Sequence, residues 1–560
     1  MNVFKKKEKS QTEKNFNIDL EKGLYVGAGV LLKDKNGNVG EEVEPVYIEW
    51  GNLAGHLAVF GTTRVGKTRL MVAMIKQCIF AGFDILVVEP KGAEGQETIA
   101  WVLQFAEEAG RLRDFTYISP LYSELSISFN PLYGLSNEEI SSLVETLIPA
   151  KDDFYSKIGY TITMAVLLGL DFLEKIEGPG KLKALIKEEY EQANMGSIEI
   201  IDVKNKIANP DLAKRIAEPE VNKALSETHP PYRTLVTFAD LATYSTQEGL
   251  NAILQHVESI TDEDMQSNEE IPLEKMRVIQ MQALRALREQ ATKDASYFGK
   301  VASSFNLVMQ QLSTGKLGEV LCTTKINTVM DRYRNKNHGQ ILILQPFPLK
   351  YKAASDAFVR IFFAMFTAQY GDVGATGRAL KRKIFLFIDE GGSVLYPGVE
   401  DLFNKAGGLG LRICLFTQSF ADLDNAIGKE SAYIVNDNIN TKIYMKMNDP
   451  NSRKQIQDAF GTIIENLPSY AGSKLDMKIT SSGSGNEKNI LTSAHVADLQ
   501  NQEFLMQTKT GFYAMIGPFQ PDPPYEIEMP ISESEQLYKD HALAFASIIE
   551  ETKTGGREKQ

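Results

Sequence analysis

The chain has 560 residues, a hydrophobic content of 43%, a charged content of 24% and a net charge of −13. That length exceeds one ordinary core and the composition is globular, which excludes a disordered or fibrous chain and implies two or more domains. The acidic balance excludes a chain coated in basic patches, while a groove or pore with local positive charge stays compatible with it.

Residues 1–18 are polar and lysine-rich and read as a disordered basic tail, a solvated arm or one that touches acidic lipid. No apolar stretch follows these lysines, so no secretory signal is visible. The strand-like runs Leu24–Leu32 and Val46–Trp50 flank the turn residues Lys35-Asn36-Gly37-Asn38 and predict a hairpin. The apolar run Leu57–Phe60 then breaks into Gly61-Thr62-Thr63-Arg64-Val65-Gly66-Lys67-Thr68, which satisfies G-x-x-x-x-G-K-[ST] at every fixed position. A helix pattern follows, with Leu70, Met71, Met74, Ile75 and Cys78 on one face.

A phosphate site needs that order of elements. Gly61 and Gly66 let the loop curl so that backbone N–H groups face phosphate oxygens, and the new helix points its positive end at them. Lys67 is expected to reach the β- and γ-phosphates of ATP, and the Thr68 hydroxyl to hold Mg2+. The stretch from Gly61 to Arg69 is the expected nucleotide cradle.

Asp84–Glu89 is the next strand candidate, closed by Pro90-Lys91-Gly92, so strand, helix and strand form a βαβ unit and the sheet is mainly parallel. Phe115–Ser119 is a further strand, and Asn130-Pro131-Leu132 ends the first block. From 135 to 335 strand signals nearly vanish and helix patterns dominate. Leu273–Arg288 is one, and Val301, Phe305, Val308 and Leu312 form an apolar stripe; His229-Pro230-Pro231 breaks the run once. The α/β pattern resumes with Gln340–Gln345, a helix around Ala353–Tyr370, Ile384–Ile388, a helix near Val399–Lys405, Leu411–Phe416 and Ile443–Met447. Ser481–Gly485 is an expected flexible loop and Phe512–Ile516 the expected last strand.

The fold expected is α/β: a P-loop nucleotide-binding domain with a mainly parallel sheet, interrupted by an inserted all-α domain. Its parts are a tail at 1–18, the hairpin and P-loop at 19–134, the insert at 135–335, the second half of the sheet at 336–531 and a C-terminal tail at 532–560. Deleting the insert should leave ATP binding intact. The apolar patches Ile162–Leu173 and Phe358–Phe366 are interrupted by Asp171 and Arg360, short of the ~18–20 residues of a spanning helix. A soluble, cytoplasmic chain is expected. Cys78, Cys322 and Cys414 stand apart among apolar neighbours, so neither a disulfide framework nor a zinc site is expected.

Two further places carry chemistry. Lys383–Glu390, KIFLFIDE, is an apolar strand ending in two acids. By itself such a pair is as good a helix cap; beside a P-loop, Asp389 is expected to bind Mg2+ and Glu390 to polarise the attacking water. Gln418, in Thr417-Gln418-Ser419, is a neutral amide at a strand end, able to donate and accept toward a γ-phosphate or water. The alternative is a plain surface amide. Lys91 is expected to face DNA, a neighbouring subunit or only solvent, and Trp50 and Trp101 to pack.

These motifs, with Ser313-Thr314-Gly315-Lys316-Leu317 and Asn404-Lys405-Ala406-Gly407-Gly408 between them, occur in an order that resembles the conjugative coupling proteins of the TraD type, nearest those of integrating conjugative elements. The resemblance covers roughly residues 45–520 in outline and is tight only at the motifs. It implies a RecA-like motor related to FtsK and HerA, with ATP and Mg2+ as cofactors, usually a hexamer. It further implies partners: single-stranded DNA bound with little sequence preference, a relaxase and a type IV secretion channel. Peripheral contact with the inner face of the membrane would come through those partners. The chain departs from the family in three ways: it shows no N-terminal transmembrane helices, Glu89 replaces the usual Asp, and Gly407 stands where relatives often place an arginine, with Lys405 and Arg412 nearby. The identity of any arginine finger is therefore open. A HerA- or FtsK-like processing or packaging motor, and a nucleotide-gated adaptor that recruits substrates, are the alternative functions.

Overall fold

The computed structural model describes residues 18–40, 42–92, 95–148, 153–177, 179–192, 200–202, 207–208, 235–266, 271–334, 339–348, 352–376, 382–466, 485–523 and 525–527. Most of the N-terminal tail, His229-Pro230-Pro231, the loop at 481–484 and the C-terminal tail lie outside the described residues.

One sheet of eleven strands organises the molecule. In chain order its strands are β1 (Leu24–Asp34), β2 (Glu44–Ile48), β3 (Leu57–Phe60), β4 (Asp84–Val88), β5 (Phe115–Ile118), β6 (Ile341–Leu344), β7 (Ile384–Ile388), β8 (Leu411–Thr417), β9 (Thr441–Tyr444), β10 (Glu503–Gln507) and β11 (Gly511–Ile516). Across the sheet they run β2-β1-β11-β10-β9-β3-β8-β7-β4-β6-β5. Every pairing from β9 to β5 is parallel, and every pairing from β9 back to β2 is antiparallel. The expected hairpin and parallel core are both present. β10 escaped the sequence reading because Glu503 and Gln507 bound a run of only three apolar residues, too short for periodicity to register.

The parallel strands are mostly apolar because helices cover both faces, with polar residues such as Asp84, Arg412 and Lys442 near their starts. Period-2 alternation sends Leu57 and Val59 of β3, Ile85 and Val87 of β4, and Phe385 and Phe387 of β7 to one core. There they meet α1 (Lys67–Phe80) and α2 (Gln96–Glu108), whose Leu70, Met71, Met74, Ile75, Cys78 and Trp101 are buried. The intervening Ala58, Phe60, Leu86, Val88, Leu386 and Ile388 face the opposite side.

On that opposite side lies the helical block. Its helices include Asn137–Leu147, Asp153–Glu177, Gln247–Ser259, Leu273–Ala291 and Ser303–Ser313. Ile162, Val166, Leu167, Phe172, Ile253 and Leu287 share one continuous core with the sheet residues just named. The Val301-to-Leu312 stripe falls on two helices, Ala295–Val301 and Ser303–Ser313, hinged at Ala302. Asn130, fully buried, ties the block's entrance and exit: its amide donates to the Val236 and Lys325 carbonyls, each at 3.0 Å, and its oxygen accepts from Leu132 N–H at 3.1 Å.

Two expectations change. The block contains short strands, Ile200–Asp202 and Ile207–Ala208, and the first pairs with Tyr525–Ile527, more than three hundred residues on. The phrase all-α therefore does not cover it. Phe154–Glu177 is also long and apolar enough to cross a membrane by length and composition, with a mean hydropathy of 1.3. Asp171 interrupts the apolar run but is offset in the helix by Lys175, to which it is paired. The helix's apolar residues Ile162, Val166, Leu167 and Phe172 serve the shared core.

Candidate active site

Four adjacent strands, β3, β8, β7 and β4, end at the same edge of the sheet, and each carries one of the expected motifs just beyond its C-terminal end. Ligands of open parallel sheets bind at that edge, where crossovers diverge. Here α1 leaves β3 and the chain returns as β4, with β8 and β7 between them.

The loop Gly61–Thr68 is tied to its neighbours by Gly61 N–H donating to the Thr417 carbonyl, 3.2 Å, and Thr62 N–H to the Lys446 carbonyl, 3.0 Å. Gly66 has φ +102°, open only to glycine without strain. Gly61 is needed for a different reason, since a Cβ there would come within 2.8 Å of Met445 Cβ. The first backbone bond of α1 runs from Leu70 N–H to the Gly66 carbonyl, 3.0 Å, so the N–H groups of Lys67, Thr68 and Arg69 have no acceptor within the helix and face outward. Lys67, largely buried, donates to the Gly61 and Thr62 carbonyls at 2.6 and 2.8 Å. Burial lowers its pKa, and Asp389 acts against that.

Strand register places the acids. Val88 lies opposite Ile388, so Glu89 and Asp389 follow side by side. The Asp389 carboxyl is fully buried: Oδ1 accepts from Glu390 N–H at 2.9 Å, and Oδ2 meets Lys91 Nζ at 2.6 Å. Glu390 is half-buried, with φ +45° at the end of the strand, and its Oε1 lies 3.7 Å from the same ammonium. Positive φ in a non-glycine residue is strained and clusters at functional sites. Glu89 is fully buried, accepts from Thr98 Oγ1 at 2.9 Å and from Lys91 N–H at 3.1 Å, and burial pushes its carboxyl up to about 8, with Asp389 adding to the effect. Burial alone would lower the Lys91 pKa, but Asp389, Glu89 and Glu390 outweigh it and raise it.

These groups open on a cleft of about 810 Å³, lined by Thr63–Arg69 with the exception of Val65, and by Glu89, Lys91, Thr98, Trp101, Glu390, Asn501 and Gln502. The cleft fits a nucleotide with Mg2+: free helix N–H groups, a lysine, a hydroxyl and a buried carboxylate are its donor and acceptor set. Among the described residues no three acidic, histidine or cysteine side chains form a closed metal cluster. That suits a Mg2+ held largely by phosphate oxygens and water.

Sequence reasoning missed Lys91, which faces the acids rather than DNA or solvent. It also missed Gln502, whose N–H donates to the Val65 carbonyl at 3.2 Å and braces the loop from β10's approach. Trp101 packs as expected but also lines the cleft, its Nε1 donating to the Pro521 carbonyl at 2.8 Å. Arg69 pairs with Asp522 at 2.6 Å, so the segment after β11 straps the start of α1. Gln418 lies exposed just past β8, outside the cleft lining. Arg412 is buried, with Nη1 donating to the Gly407 carbonyl at 2.6 Å, while Lys405 stands exposed beside Asp401.

Residues 383–501, which carry β7, β8 and the acid pair, match the family described as the TraM recognition site of TraD and TraG. The resemblance to TraD- and TraG-type coupling proteins is borne out. No curated protein matches the sequence. Among solved structures the chain is similar to the bacterial conjugative coupling protein TrwBdeltaN70 in its unbound monoclinic form, with 13% identity over 86% of this chain and 88% of that one and a TM-score of 0.50. The trigonal form of TrwBdeltaN70 in complex with sulphate gives 14% identity over 86% and 91%, with a TM-score of 0.50. At such identity the likeness is one of fold, and that fold is RecA-like.

Proposed function

We propose that this chain is an ATP-hydrolysing, DNA-translocating motor of conjugative transfer, coupling a relaxase–DNA substrate to a type IV secretion channel. The observation that carries the reading is the meeting of Lys67, Asp389 and Glu390 at one sheet edge, in a chain whose residues 383–501 match the TraD and TraG region.

In this reading residues Gly61–Arg69 bind the nucleotide through loop and helix N–H groups, and Lys67 exchanges two carbonyl partners for phosphate oxygens. Thr68 and Asp389 would hold Mg2+, which when bound would supply positive charge beside the phosphates. Glu390, set on a strained backbone beside the buried acid, orients the attacking water and takes its proton. Gln418 senses the same event from the neighbouring strand end. The domain boundaries at 135 and 335 mark the block that reads the substrate. The working form is a homo-hexamer at the inner face of the membrane, held there by its channel partners.

A monomer of net charge −13 repels DNA at long range, so binding must come from lysines and arginines that a ring gathers around a channel. The test titrates single-stranded DNA of several sequences at rising salt, with and without a non-hydrolysable ATP analogue, while following particle mass and ATP turnover. DNA should stimulate turnover, the analogue should promote assembly, and affinity should fall steeply with salt, by about 0.7 log units per log unit of salt for each phosphate contact, with little change between sequences. A flat salt response, or no DNA binding by any assembled form, would replace the motor with a nucleotide-gated adaptor.

A further inference from the structure

Lys91 is bound on both sides by the catalytic edge. Its N–H donates to Glu89 Oε1 at 3.1 Å and its carbonyl accepts from the Gln345 amide at 2.6 Å, so its backbone is pinned between β4 and β6. Its side chain reaches across to β7, where the ammonium lies 2.6 Å from Asp389 Oδ2 and 3.7 Å from Glu390 Oε1. Asp389 Oδ1 is already engaged by the Glu390 N–H at 2.9 Å. Oδ1 thus has one lone pair already committed, and Oδ2 is held by the ammonium, so a cation approaching this carboxylate meets the charge of Lys91.

We propose that Lys91 is the counter-ion of the acid pair, a positioning residue that a divalent cation must displace and that thereby makes metal entry depend on nucleotide. The inference rests on the reading of the cleft as an ATP–Mg2+ site. Its physical basis is competition for one oxygen. A protonated amine has no lone pair and cannot ligate a metal. Mg2+ would be held at the Asp389 carboxylate directly or through a bound water, where the ammonium already sits 2.6 Å from Oδ2. Two like-charged cations cannot share that oxygen in a buried setting, where screening is weak. A metal arriving alone must evict the ammonium without offering it another partner. A metal arriving with a triphosphate brings oxygens that the displaced ammonium, already lining the cleft, can take instead. The four-carbon stem allows that swing while the backbone stays fixed.

The measurement is Mn2+ binding to the full chain by electron paramagnetic resonance, without nucleotide and with ADP. Wild-type protein should bind Mn2+ at least tenfold more tightly with ADP than without. Lys91→Met should gain at least tenfold in Mn2+ affinity in the absence of nucleotide, and Lys91→Arg should stay within about twofold of wild type. The double variant Lys91→Met with Glu89→Gln takes away the ammonium together with a buried titratable carboxyl beside it, and decides the matter if the single variant does not fold. Unchanged Mn2+ affinity in either folded variant overturns the proposal. So does wild-type affinity that is equal with and without ADP in a protein that a separate titration shows to bind ADP. If the variants gain Mn2+ but no form binds nucleotide, the ATPase reading fails and the counter-ion role stands.

Discussion

The cleft at the strand ends and the helical block behind the sheet solve opposite problems with the same strands. In the cleft, the buried Glu89 and Asp389 and the half-buried Glu390 share two ammonium groups, and Glu390 accepts a strained backbone. In the block, contacts with the sheet are apolar, and Asn130 has three satisfied bonds. Burial stabilises the block, whereas in the cleft it works against the charges that the chemistry needs. Stability and function are therefore drawn from opposite ends of one β-layer.

The largest effect should come from Lys67→Ala, which removes the ammonium aimed at the phosphates. Turnover should drop by about a thousandfold, with circular dichroism and melting temperature close to wild type. Turnover at the wild-type rate would show that the cleft is not the nucleotide site. Phe172→Ala, deep in the shared core, is its mirror image, expected to cost about 3–5 kcal/mol in urea unfolding. If the cleft and the block unfold in one transition, the continuous core is a single cooperative unit. Separate transitions would restore the removable insert that the sequence predicts; as built, deleting it would bare Leu86, Val88, Leu386 and Ile388.

Glu390→Gln keeps the shape and removes the carboxylate proposed as the base. ATP should still bind, and hydrolysis should fall by about a hundredfold or more. Asp389→Asn should in addition raise the Mg2+ concentration needed for half-maximal binding of nucleotide. Normal hydrolysis in Glu390→Gln would mean that Glu390 is not the base, and the orienting of the water would then be sought elsewhere, Gln418 being the first amide to test.

The smallest effect is on stability against pH. The Glu89 carboxyl is pushed from 4.5 up to about 8 by burial and by Asp389, with Lys91 pulling the other way. The folded chain therefore keeps a proton there that the unfolded chain releases. Stability should decline as pH rises from about 5 to 8, because over that window the folded state binds more protons than the unfolded one. Glu89→Gln should flatten the decline in melting temperature and gain most over wild type above pH 8. A parallel pair of curves would mean that Lys91 already holds Glu89 ionised.

Much of this was legible in the residues. The P-loop, the hairpin and the strands β3, β4, β6, β7 and β8 declared themselves by spacing and by β-branched or aromatic runs, because those signals are local. β10 and the strand Tyr525–Ile527 did not: β10 has only three apolar residues between Glu503 and Gln507, and Tyr525–Ile527 pairs with a strand more than three hundred residues earlier. Arg412 looked like a finger candidate, yet its guanidinium turns back to the Gly407 carbonyl; only Lys405 of the two remains exposed.

The chain's order of residues alone determined which chemistry the molecule carries: a glycine-bent phosphate loop, a lysine, a hydroxyl and an acid pair after an apolar strand. Only the tertiary structure decided who neutralises that acid pair. Lys91 and Asp389 are 298 positions apart, and no periodicity relates them. They meet because β4 lies beside β7 with Val88 opposite Ile388, a register set by burial on both faces of the sheet.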